Sequence, residues 1–259
     1  MRHLAKKRWG QHFLADTNLL RKLVNLIGVS SSDSVLEIGP GEGALTELFA
    51  LQVNDLVGVE IDRDLFQGLS HRTDLENCTF INDDFLKLDC NEITFGTENI
   101  RVVGNLPYNI SSPILFKLIE GQPFWRDCHF TVQKEVAERM TASFGSKTYG
   151  RLSVNLQARA DVQMILTVPP EVFVPKPRVE SAVVRIIPLS GQLLSGSESD
   201  ALSMITRLAF GQRRKMLRNS LSSLEIDDTW FDLSDRPEKV EVPEFIRLAK
   251  WVVASRNGT

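Results

Sequence analysis

A chain of 259 residues is long enough for one complete α/β domain and a small accessory domain. Its composition, 42% apolar and 24% charged, is that of a globular protein, and no apolar run reaches the length of a bilayer-spanning helix. The net charge of −3 argues on its face against a polyanionic partner, but the charge is segregated. Residues 33–98 hold 15 acidic and 3 basic residues, a net of −12; the rest holds 18 acidic and 27 basic, a net of +9. Polyanion binding needs local positive potential rather than a basic average, so such a partner stays open. Three cysteines with no C-x-x-C pair, and only four histidines, give no reason to expect a metal site. The basic stretch 1–10 is not followed by the apolar segment of a signal peptide, and a cytoplasmic protein is expected.

Leu19, Leu20, Leu23, Val24 and Ile27 recur at helical spacing after Asp16 and Thr17, either of which can cap, and Gly28 marks the helix end. Residues 34–38 read as a strand, followed by a Gly-rich turn over 39–43 and a helical stretch over 44–51. Further strands are expected at 56–60, 78–81, 100–104 and 128–132, with helices over 112–119 and 135–140. This alternation predicts an α/β fold with a mostly parallel sheet covered on both faces. Residues 162–168 and 182–187, separated by the proline-rich stretch 169–177, suit an antiparallel hairpin at the sheet edge. Residues 190–200 read as a flexible linker by composition, and 201–224 and 243–254 as helices. The expected division is therefore an α/β domain over 1–189 and a small helical domain over 190–259.

The turn Glu37-Ile38-Gly39-Pro40-Gly41-Glu42-Gly43 has glycines at alternate positions, which lets the backbone turn sharply and a ligand lie close. A dinucleotide site favours G-x-G-x-x-G with a phosphate at the helix N-terminus; here the third glycine comes one residue early. The flanking Glu37 and Glu42 disfavour a phosphate and suit a cofactor carrying an amino group and a sulfonium. Glu60, at the end of the next strand, is placed to accept both hydrogen bonds of a ribose diol. Asp83 or Asp84, after the strand beyond, is placed to accept from an adenine amino group.

The fourth strand ends in Gly104-Asn105-Leu106-Pro107-Tyr108-Asn109. An adenine N6 lone pair is delocalised into the ring, so the amine is a poor nucleophile. Hydrogen bonds accepted by the Asn105 side-chain oxygen and the Leu106 carbonyl would localise that pair and aim it at a sulfonium methyl. Pro107 removes a competing N–H and fixes the backbone, and Tyr108 offers a face for the base. No strong general base is required, because the amine becomes acidic once methylated; positioning and charge complementarity would supply the catalysis.

These segments, with K-R-W-G-Q-H-F-L at 7–14, Q-K-E-V at 133–136, Y-G-R-L-S-V at 149–154, P-P-E-V-F-V-P-K-P-R-V-E-S-A-V-V at 169–184 and F-G-Q-R-R-K-M-L-R-N-S-L at 210–221, run almost end to end. The chain resembles the ribosomal RNA adenine dimethylases, and within them the bacterial small-subunit branch. The resemblance implies a Rossmann-like methyltransferase domain that uses S-adenosylmethionine, and dimethylation of two adjacent adenines near the 3′ end of 16S rRNA in a pre-assembled small subunit. It assigns His12, Leu14, Gly39, Gly41, Glu60 and Asp84 to the cofactor, Asn105 to catalysis and cofactor, and Phe173 to stacking on the target adenine with Tyr108. Two departures stand out: His12 stands where many relatives have asparagine, and Glu42 replaces a commonly apolar residue.

RNA contact is expected from a basic arm containing Lys7 and Arg8 and from Arg213, Arg214, Lys215 and Arg218, with 214 and 218 sharing one face of a helix. Phe173 sits on a loop stiffened by prolines, suited to stack on an extruded base. A monomer without metal is expected. Other readings remain open: a large-subunit rRNA methylase, an assembly factor that binds RNA without turnover, and an adenine methylase of duplex DNA.

Overall fold

The computed structural model describes residues 10–119, 124–191, 194–212, 215–226 and 229–257. A two-residue strand, β1 (Phe13–Leu14), precedes helix α1 (Thr17–Ile27). The Asp16 carboxylate accepts from the Leu19 N–H and caps α1, and Gly28 closes it in the left-handed conformation (φ 66°). The helix buries Leu20, Leu23, Val24 and Ile27, the stripe that the periodicity marks.

The chain then alternates: β2 (Ser34–Ile38), α2 (Ala44–Ala50), β3 (Asp55–Val59), α3 (Arg63–Ser70), β4 (Cys78–Ile81), β5 (Ile100–Asn105), α4 (Ser111–Ile119) and β6 (Asp127–Gln133). After α5 (Lys134–Met140) and α6 (Arg151–Gln157) come β7 (Ala160–Val168), β8 (Phe173–Val174) and β9 (Ser181–Pro188). Helices α7 (Gly196–Gly211), α8 (Leu217–Ser220) and α9 (Val242–Asn257) follow. Seven strands form one sheet in the order β4-β3-β2-β5-β6-β9-β7, and β1 pairs antiparallel with β8. The pairs from β4 to β6 are parallel, whereas β9 runs antiparallel to β6. Strand β2 is buried at all five positions, as expected of a parallel strand covered on both faces.

Strand order reverses between β2 and β5, because β2 continues outward to β3 and β4 while β5 starts the other half. The two strand ends splay there and leave a crevice, the usual ligand site of an open α/β sheet. Close packing just below it depends on Gly104: a Cβ at that position would lie 2.6 Å from the Ile38 carbonyl oxygen. Near the start of β5, Arg101 forms a bidentate pair with Asp127 (2.8 and 2.9 Å) and donates to the carbonyls of Ile27 and Gly28 at the end of α1. The guanidinium therefore satisfies helix-end carbonyls that would otherwise be orphaned.

The described residues 10–117, 124–137 and 163–187 form one compact unit, and 118–119, 138–162 and 188–257 form another. The second has its own core, in which Val154 and Ala158 join Leu202, Ile205, Ala209, Phe245 and Leu248. Asn155 donates to the Thr206 hydroxyl at 2.8 Å, and the Tyr149 hydroxyl to the Val240 carbonyl at 3.0 Å.

Several expectations are corrected. The stretch 190–200 is not a linker throughout: Ser195 and Glu198 form a reciprocal capping box and α7 starts at Gly196. A continuous helix over 201–224 is not formed, since α7 stops at Gly211 and α8 begins at Leu217. Helices α3 and α6 appear where none was expected.

Candidate active site

The loop after β2 forms the floor of the crevice. Gly39, Gly41 and Gly43 all take positive φ (70°, 64° and 87°), a conformation that strains any residue with a Cβ. The Gly39 N–H donates to the Val59 carbonyl at 2.9 Å, tying the loop to β3. Just past β3, Glu60 is buried; its Oε2 accepts from the Gly41 N–H at 3.0 Å and its Oε1 from the Asp62 N–H at 2.8 Å. Burial pushes this carboxyl up, and the backbone donors of Asp62 and Gly41 restrain the shift. Each oxygen still has acceptor capacity for a hydroxyl, so the diol role remains geometrically open.

Beyond β4, Asn82 donates its amide to the Glu60 carbonyl at 2.8 Å. Asp84 accepts from the Leu86 N–H at 3.0 Å and stands 3.9 Å from the Lys87 ammonium. Glu37, Gly39, Gly41, Glu60, Asp84 and Asn105 line one cleft of ~980 Å³ including its open mouth, walled by Leu14, Phe85, Leu86 and Ile114.

At the end of β5 the Asn105 amide nitrogen donates to the His12 carbonyl at 2.6 Å. A carbonyl can only accept, so this contact fixes which end of the amide is nitrogen and leaves Oδ1 as the accepting end. The Leu106 N–H donates to the Thr131 carbonyl at 3.0 Å, which anchors the turn, and Pro107 lines the cleft beside Asn105. The Tyr108 hydroxyl and the Ser181 hydroxyl stand 2.6 Å apart, and the Tyr108 ring stacks on His12 at 5.3 Å. Burial pushes the Tyr108 phenol up, partly offset by Ser181.

Residues 11–15 close over this crevice. His12 Nδ1 donates to the Pro175 carbonyl at 2.7 Å, the Ala15 N–H to the Val172 carbonyl at 2.9 Å, and Gln11 to Asp62 at 3.3 Å. The His12 contact to Asn105 is made by its backbone, so the residue identity at this position does not decide it. Gln11 and Asp62 were not singled out from sequence; a polar residue beside H-F-L was the only signal for the first, and the N-cap position of α3 for the second.

Phe173, expected to stack on the target adenine, does not line the cleft here: it is 2% exposed, pairs with Leu14 across β1 and β8, and packs into the core of the first unit. The strand pairing points its ring inward, and Val174 takes the outward position. Among the basic residues, Lys215 and Arg218 are exposed at the break between α7 and α8 rather than along one continuous helix. Lys7, Arg8, Arg213 and Arg214 lie outside the described residues. Among the described residues no cluster of histidine, cysteine or carboxylate groups could hold a metal, and no helix is long and apolar enough to cross a membrane.

Carboxyl groups of Glu37, Glu60 and Asp84 meet an apolar wall in the cleft, which fits a nucleoside bearing hydroxyls and an amino group.

The family model for ribosomal RNA adenine dimethylases matches residues 2–251. A ribosomal RNA small subunit methyltransferase A from Leptothrix cholodnii is 46% identical over 252 residues, covering 96% of this chain and 92% of the relative. Its counterpart from Methylobacillus flagellatus is 43% identical over 259 residues, covering 98% and 100%. Among solved structures, a dimethyladenosine transferase from Plasmodium falciparum superposes with a TM-score of 0.78 at 26% identity, covering 95% of this chain and 98% of that one. The 23S rRNA methyltransferase ErmE shares the fold, with a TM-score of 0.64 at 23% identity over 92% of this chain and 99% of that one.

Proposed function

The chain belongs to the ribosomal RNA adenine dimethylase family, and from that premise we propose that it dimethylates N6 of two adjacent adenines near the 3′ end of 16S rRNA in the small ribosomal subunit, using S-adenosylmethionine. The observation that carries the reading is the orientation of Asn105: its nitrogen is held by the His12 carbonyl, so its oxygen is left to accept from an amine at the mouth of the cleft.

The cofactor, when bound, supplies an electrophilic methyl group. Glu60 would hold its ribose, Asp84 its adenine amine, and Gly39 and Gly41 the close backbone contact, with Leu14 and the rest of residues 11–15 covering it. Asn105 Oδ1 and the Leu106 carbonyl orient the adenine N6 hydrogens and localise the lone pair toward the methyl. The proton released after each transfer goes to solvent. Tyr108, backed by His12 and anchored by Ser181, supports the target base. Lys7, Arg8, Arg213, Arg214, Lys215 and Arg218 are assigned to RNA phosphates, and residues 190–259 to the RNA-facing helical domain. Its proposed location, given a ribosomal substrate, is the cytoplasm.

The test is to incubate the protein with methyl-labelled S-adenosylmethionine and undermethylated small subunits, large subunits or duplex DNA. Label is expected on small-subunit rRNA as N6,N6-dimethyladenine. Label only on large subunits or DNA would overturn the reading. No label on any substrate, with tight small-subunit binding retained, would point to an assembly factor instead.

A further inference from the structure

The cleft contains a carboxyl group that the reaction scheme leaves unused. Glu37, near the end of β2, is 2% exposed and lines the cleft together with Glu60. Its hydrogen-bond partner is the hydroxyl of Thr46 on α2, which donates to Oε2 at 2.6 Å and is itself fully buried. Glu60, just past β3, acts on it electrostatically, and Glu37 in turn pushes up the Cys78 thiol on β4; Val103 is its apolar neighbour on β5. Glu42, Asp83 and Asp84 are the other carboxylates on the same cleft wall. Among the described residues no cation forms an ion pair with Glu37 or Glu60. Two buried carboxylates facing one cleft without a counter-ion cannot both hold charge cheaply.

We propose that Glu37 is a positioning residue that matches the charge of the cleft to its cofactor: it carries a proton in the empty site, releases it when cationic S-adenosylmethionine binds, and regains it once the sulfonium is consumed. The inference rests on the cofactor reading above. S-adenosylmethionine carries an ammonium, a carboxylate and a sulfonium, a net of one positive charge, and S-adenosylhomocysteine is neutral overall. An ionised Glu37 therefore favours the substrate form over the product form, and a neutral Glu37 removes that preference. Burial pushes the Glu37 carboxyl up to about 7, with Thr46 restraining the shift and Glu60 adding to it. The step moves one proton from the Glu37 carboxyl to solvent and makes or breaks no other bond.

Titration calorimetry of the full chain in buffers of different ionisation enthalpy tests this. Binding of S-adenosylmethionine should release up to one proton around neutral pH, and its affinity should rise severalfold from pH 6 to pH 7. S-adenosylhomocysteine should release less than half as much and change little in affinity. Glu37→Gln keeps the shape and should abolish both the proton release and the pH dependence. Thr46→Val, which removes the restraining donor, should shift the release to higher pH. Tight, buffer-independent binding by the wild type, or release that persists in Glu37→Gln, overturns the proposal while leaving the cofactor reading intact. No S-adenosylmethionine binding at all overturns both.

Discussion

The side chain of Asn105 donates to the main chain of His12 at 2.6 Å, joining residues 93 positions apart. On the proposed reading one amide does two jobs, holding residues 11–15 with its nitrogen and leaving its oxygen for the substrate amine. Asn105→Ala should lower single-turnover methyl transfer by about 10²–10³-fold, the effect of removing one preorganised hydrogen-bonding group from a catalytic site. Cofactor affinity, measured by calorimetry, should fall far less, because Glu60, Asp84 and the glycine loop are untouched. Equal losses in both would assign the residue to the cofactor rather than to the amine.

The parts of the fold that rest on local pattern were legible in the sequence. Helix α1 showed its stripe and both caps, and the parallel strands showed themselves as short apolar runs between turns. Helix α6 was missed because Leu152 through Leu156 are all buried, which erases the amphipathic period, and α3 because only Leu65 and Leu69 face inward. The start of α7 carried a readable S-x-x-E signal at Ser195 and Glu198 that was masked by glycine and serine around it. Glu60, Asp84, Gly39 and Asn105 could be placed together because strand ends in such a sheet share one edge. The inward turn of Phe173 could not, since a two-residue pairing of β1 with β8 leaves no periodic trace in either segment.

Gly104 sits where β2 and β5 begin to part. Gly104→Ala would place a Cβ 2.6 Å from the Ile38 carbonyl oxygen, and backbone cannot rotate away as a side chain can. The cost should be at least the ~1–3 kcal/mol typical of overpacking. Cofactor affinity should fall as the two strand ends are pushed apart. Gly58→Ala is the control, since its closest contact is the Phe80 ring, and it should cost less. Urea unfolding and calorimetry of the two variants check the ranking.

Arg101 stands between two buried carboxylates, Asp127 at 2.8 Å and Asp33 at 3.6 Å. Burial alone would raise the Asp127 carboxyl, but His129 and Arg101 outweigh it and hold it at about 2. Of the two, Arg101 makes the close bonds, while His129 Nδ1 is 3.5 Å away. Arg101→Met should destabilise the protein by ~3–5 kcal/mol at neutral pH, because it strands buried charge and uncaps α1. Since the folded pKa of Asp127 lies below its unfolded value, the pair's contribution is present above about pH 4 and fades as pH falls toward 2. The difference between variant and wild type, followed by urea midpoints, should therefore shrink between pH 4 and pH 2. An unchanged difference across that range would show that Asp127 is not the titrating partner.

Phe173 gives the sharpest separation between packing and stacking. Its ring lies in the same core as Leu14, Leu20, Val168 and Val183, and its strand pairs with β1, which belongs to the segment lining the cleft. Phe173→Ala should cost ~3–5 kcal/mol in urea unfolding, the penalty for emptying a buried aromatic site. It should also weaken S-adenosylmethionine binding, because β1 and residues 11–12 lose the surface they rest on. Phe173→Leu fills most of the same volume and should cost under about 1.5 kcal/mol, with cofactor affinity near that of the wild type. A Phe173→Ala variant as stable as the wild type would mean that the ring spends its time outside this core. Only then would it be free to meet an extruded adenine without first breaking the β1–β8 pairing.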